Sequence, residues 1–159
     1  MIKHRAILRK AEKGQSFVEL GLSMVFLLIL LAAVIDLGWA FFTLVALRDA
    51  AQEAATVGAI CPPSSTANED KIRERLMSSA TAPIDMSKLS SSQIDICVID
   101  PIARTCGAAV ELGKSVRVTI TYQHEIVTPL VGSFIGGQNY PLVASAADTI
   151  LRLNCDAIP

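Results

Sequence analysis

The stretch from Gln15 to about Ile60 constrains this chain most, because no proline interrupts it and leucine, alanine and other good helix formers dominate it. It predicts one continuous helix. At about 1.5 Å per residue that helix would reach roughly 69 Å, more than twice the roughly 30 Å of hydrocarbon in a bilayer. Its first half is Leu, Ile, Val and Phe, and residues 20–47 hold a single charge, Asp36. From Arg48 onward it turns amphipathic and alanine-rich. The first half is therefore expected to span a membrane and the second to project beyond it. The 52% hydrophobic content and mean hydropathy of +0.47 are high for a soluble domain, and this skewed placement accounts for the excess.

Charge fixes an expected orientation. Lys3, Arg5, Arg9, Lys10 and Lys13 crowd the start of the chain against one acid, Glu12, so the remainder is net acidic although the whole carries a formal charge of −1. A basic segment directly before an apolar helix is held on the cytoplasmic side, so the C-terminal part is expected to be exported. An acidic exported part argues against nucleic acid as a partner. All four cysteines, Cys61, Cys97, Cys106 and Cys155, follow the apolar segment, where an oxidising compartment would let them pair. Zinc is the competing use, but there is no C-x-x-C, and the histidines are His4, in the leader, and His124. Of the three possible pairings, Cys97 with Cys106 brackets the turn signal Asp100-Pro101, and Cys61 with Cys155 ties the last strand to the end of the long helix.

Beyond the helix, Cys61-Pro62-Pro63 is a stop. Residues 68–80 read as a short charged helix with Asn68 as its N-cap, and Ser78 to Ser92 as a surface connection. Gln93–Asp100, Ser115–Val127 and Val143–Leu153 read as strands. In the second, Val116, Val118, Ile120 and Tyr122 point one way and Arg117, Thr119 and Thr121 the other. Gly132, Gly136, Gly137 and Pro141 mark a loop. The expected fold is α+β: the long helix, over 15–60, leading into an exported head, over 61–159, whose antiparallel sheet of about three or four strands packs on the protruding half of the helix.

Within that half, Ala46, Ala50, Ala54 and Gly58 fall four apart, beside a row of Leu47, Ala51, Ala55 and Ala59. Small residues at this spacing let another backbone approach closely, whether the head's own sheet or a neighbouring helix. Asp36 falls near the outer interface, followed by Trp39, Phe41 and Phe42 as an aromatic belt. His124 and the acids Asp95 and Asp100 are expected at the surface. There is no G-x-S-x-G, no glycine-rich phosphate loop and no H-E-x-x-H, so no catalytic residue, metal ligand or cofactor site is assigned.

The most informative motif is Lys13-Gly14-Gln15-Ser16-Phe17-Val18-Glu19-Leu20. A basic leader, residues 1–14, ends in glycine, and an acid follows at the fifth position after it. This resembles the processing site of type IV prepilins, in which a membrane peptidase cuts after the glycine and the acid serves in assembly. The resemblance implies cleavage between Gly14 and Gln15 and an assembly role for Glu19. With Val18-Glu19, Asp36 followed by Gly38, and Ala50-Ala51 through Ala55 and Gly58, the region is similar to the TadE-like pseudopilins of the tight adherence (Tad/Flp) pilus system. Gln15 is not the aromatic first residue of ordinary type IV pilins, and Leu20 is not the tyrosine of the small pilins of this system. The resemblance implies a non-enzymatic pilus-assembly subunit without cofactors, resident in the cytoplasmic membrane. Its implied partners are a prepilin peptidase, other pilin or pseudopilin subunits and the Tad secretion machinery. A main filament subunit and a singly anchored binding domain are the alternative readings.

Overall fold

The computed structural model describes residues 3–79 and 84–155, and side chains from Gly14 onward except at 130, 134 and 135. Helix α1 runs Lys3–Ile60. It thus begins ahead of Gln15 and takes in the described part of the leader, as an unbroken run of non-proline residues allows. The chain divides into two compact units, one holding the helix up to Gly38 together with Ile126–Gln138, the other Trp39–Glu125 with the chain from Asn139 on.

In the second unit α1 is followed by α2 (Thr66–Ser78), β1 (Ile94–Ile99), β2 (Ser115–Glu125) and β3 (Asn139–Thr149). The strands form one antiparallel sheet in the order β1-β2-β3. Register follows the side-chain period: Ile94, Ile96 and Val98 lie opposite Ile120, Val118 and Val116, and Ala144 lies opposite Ile120. That face is buried with Leu47, Ala50, Ala51, Ala54 and Ala55 of α1, Ile72 and Leu76 of α2, and Ile150. The α+β fold read from the sequence is the one observed, with three strands.

Four local readings are corrected. The cap of α2 is Ser65, which accepts a hydrogen bond from the Asn68 amide, while the Asn68 side chain donates to Pro62 O at 3.0 Å and Ser64 Oγ at 3.1 Å. The segment read as a surface connection holds two 3-10 turns, Met86–Lys88 and Ser91–Gln93, and buries Ile84, Met86 and Leu89 in the core. Strand β3 starts earlier than expected and includes Pro141, tolerable in a strand at the sheet's edge. His124 is 5% exposed, not a surface residue. The alternation that turns Val116, Val118 and Ile120 inward carries His124 to the same face.

The free edge of β1 is covered by the chain that follows it. Ile99 bridges Cys106, and Gly107 and Ala108 both donate to Val98 O. Asp100 closes the turn by accepting from the amides of Ile102 at 2.8 Å and Ala103 at 3.1 Å. These bonds, with desolvation opposing and Lys114 assisting, hold its carboxyl below the usual aspartate value. The turn's electrostatic contribution is therefore present at neutral pH and is lost as pH falls through that depressed value.

Gly58 marks the tightest approach of α1 to the sheet. A Cβ placed there would stand 2.8 Å from Val116 Cγ1 and 3.2 Å from Val116 Cβ, with Ile72 Cδ1 at 3.4 Å. Gly58→Val should destabilise the head by about 1–3 kcal/mol through overpacking, since valine is stiff at χ1 and its neighbour cannot swing away. Gly58→Ala should cost less, because the gain in helix propensity, about 1 kcal/mol, offsets part of the strain. Thermal unfolding of the detergent-solubilised chain, followed by circular dichroism, checks both the sign and the order.

Candidate processing and assembly site

Gly14, Gln15 and Glu19 lie on one continuous helical stretch, so the processing motif is presented as helix. Among the described residues, and apart from the helix's own neighbouring backbone, nothing lies within 4 Å of a Cβ built on Gly14. Gln15 Nε2 donates to Glu19 Oε1 across one helical turn at 3.5 Å, a long bond. Both residues are exposed, as are Phe17, Val18 and Leu20. Among the described residues one helical stretch, Gly14–Ile60, is long and apolar enough to cross a membrane, with a mean hydropathy of 2.7 in its most apolar window, none of which is buried. An apolar surface of this length left bare by its own chain is what a bilayer or neighbouring helices would cover.

The small-residue rows have a different environment. Ala46, Ala50, Ala54 and Gly58, and beside them Leu47, Ala51, Ala55 and Ala59, are all buried within the head. The close approach that their spacing allows is taken up by the chain's own sheet and α2. Trp39, Phe41 and Phe42 are at least half exposed, and the rings of Phe41 and Phe42 meet edge to face with centroids 6.4 Å apart.

Cys61 is joined to Cys155 and Cys97 to Cys106. The first bond adjoins a backbone link in which Leu151 N donates to Ala59 O at 2.9 Å, so the stretch from Leu151 to Cys155 is held twice to the end of α1. The second closes the turn after β1. Asp95 lies close to Cys97 and Cys106 with metal-ligand spacing, but both sulfurs are already committed to the disulfide.

Counting residues from the start of the span puts Asp36 near the outer interface and leaves its partner open. Asp36 is 7% exposed, and its Oδ2 accepts a hydrogen bond from the Thr128 amide at 3.1 Å. Thr128 is the N-cap of a short helix α3 (Pro129–Ile135), with Pro129 at its first position and Gly136 as a left-handed C-cap. The glycines that mark this stretch as a loop in the sequence instead close a short helix. The signal that could have found α3 was the Thr128-Pro129 start with Gly136-Gly137 after it.

Compared with known proteins, residues 14–56 match the family model described as TadE-like protein. No curated protein and no solved structure matches the chain.

The two disulfides should differ in weight. Their sequence separations are 94 and 9, and in the loop-entropy treatment these correspond to about 4.7 and about 2.6 kcal/mol of constraint on the unfolded chain. Replacing Cys61 and Cys155 together by serine should therefore lower the denaturation midpoint more than replacing Cys97 and Cys106 together. Denaturant titration of the two double variants checks the order, and peptide mapping without reductant should recover both pairs.

Proposed function

From an N-terminal helix that is TadE-like, we propose that this protein is a non-enzymatic pseudopilin that takes part in building an adhesion pilus of the tight adherence type. The family match over residues 14–56 carries this reading, because it begins at the glycine of the processing motif and covers the apolar stretch and most of both small-residue rows. The bare apolar surface of α1 supports it as well, since such a surface serves a subunit that waits in a membrane and then bundles with others.

In this reading the basic leader stays in the cytoplasm and the head is exported. A prepilin peptidase hydrolyses the Gly14–Gln15 bond, leaving a carboxylate on Gly14 and a free amine on Gln15. Glu19 then acts between subunits. A carboxylate near the start of a membrane helix is costly to bury, and the cost falls when a cation is held beside it. Among the described residues the partner of Glu19 is a neutral amide over a long distance, a weak competitor for the amine of a neighbouring subunit shifted along the filament axis. Other pilin subunits and the Tad secretion machinery are the partners this role requires.

Two outcomes follow. In cells that make the peptidase, intact mass should give a mature chain starting at Gln15, and finding the full-length N-terminus alone would contradict the proposal. Glu19→Gln should leave processing, membrane insertion and head folding unchanged while lowering incorporation into filaments or complexes. Normal incorporation would reduce Glu19 to an interfacial acid.

A further inference from the structure

The loop between β2 and β3 belongs to the same compact unit as the helix up to Gly38. From Ile126 to Gln138 it holds no charged residue, and its polar side chains are Thr128, Ser133 and Gln138. Val127 is 76% exposed. Turns in water draw on Asn, Asp and Ser beside Gly and Pro, and residues 126–138 hold one serine and neither Asn nor Asp.

The loop's backbone is closed on itself. Ile126 N donates to Gln138 O at 2.7 Å, Gly132 N to Thr128 O, and the amides of Gly136 and Gly137 both to Gly132 O. Pro129 has no amide proton to satisfy. The Thr128 amide, at the mouth of α3 where no helical partner is available, donates to Asp36. Backbone groups paired within the protein in this way lower the cost of lying against lipid at the membrane interface.

Depth follows from the helix. Asp36 lies about 33 Å along α1 from Gly14 at about 1.5 Å per residue, close to the roughly 30 Å hydrocarbon thickness, so the anchoring bond falls at the far edge of the span. We propose that the 126–138 loop, with α3, is a lipid-contacting element that lies in the membrane interface where α1 leaves the bilayer, clipped there by Asp36. Its partner is the phospholipid acyl and glycerol region. Asp36 thus acts as the acceptor that completes the N-terminus of α3, which accounts for a buried carboxylate in an otherwise apolar stretch.

The inference rests on α1 crossing the membrane, and the test separates the two claims. The full chain, with its native disulfides formed, is placed in phosphatidylcholine nanodiscs carrying an environment-sensitive fluorophore at Ser133→Cys or Val127→Cys. Leu30→Cys in the span and Ser145→Cys on β3 serve as references. A lipid quencher with its spin label near the glycerol should cause loss of emission at positions 133 and 127, and aqueous iodide should not. Quenching by iodide alone would overturn the proposal, and so would shielding from both quenchers, which would mean that another subunit covers the loop. Loss of lipid quenching at Leu30→Cys as well would mean that the span itself is misassigned. Adding Asp36→Ala should abolish lipid quenching at position 133, while Asp36→Asn, which keeps an acceptor oxygen, should retain it. Unchanged quenching in Asp36→Ala would remove the clip.

Discussion

The close approach of the last turns of α1 to β2 is the constraint on which the rest of the head depends. Alanine or glycine at seven of the eight positions in the two rows leaves little side chain between the helix and the sheet, and Gly58 stands where even a methyl group would press on Val116. The strand meets these rows with Val116, Val118 and Ile120, all fully buried. The register in turn fixes which residues of β1 and β3 face inward. The small-residue spacing that elsewhere joins helices of different chains is here consumed within one chain, and the bare apolar surface of α1 is its N-terminal part.

Covalent and backbone links hold this packing where side chains alone would be thin. Alanine contributes little apolar area per residue, so a core built on alanine rows gains less from burial than one built on leucine. The disulfide at Cys61 and the bond from Leu151 to Ala59 fix the chain's last described stretch to the helix end. The turn bonds of Asp100 and the second disulfide secure the edge of β1. In a small domain the two disulfides supplement a limited core.

Much of this was legible because its signals are local. Absence of proline over 15–60 gave the long helix, alternation from Val116 gave β2, and the bracketed Asp100-Pro101 turn gave one cysteine pair. The misreadings came where the deciding information is not local. His124 keeps the inward parity of its strand, but a histidine beside Glu125 at a strand end suggests surface when its neighbours across the sheet are unknown. Ile84, Met86 and Leu89 sit in a serine-rich stretch whose composition hides three core side chains. Asp36 could be placed in depth by counting residues, yet its partner lies 92 residues away, and no spacing rule joins an acid to the amide that caps a distant helix. For the site, the Gly14 and Glu19 motif was legible from sequence, while the division of α1 into a bare part and a part buried by its own head required the fold.

The central claim is that this chain acts by assembly through the exposed part of α1. Photocrosslinking in intact cells tests it directly, with a photoreactive residue placed in turn at Leu27 and Leu31 on the bare helix and at Ala50 and Ala54 on the buried rows. The account predicts crosslinks between subunits from positions 27 and 31 in cells that make the pilus machinery, and none from positions 50 and 54. Crosslinks from the alanine rows, or monomer alone from every position, would contradict it.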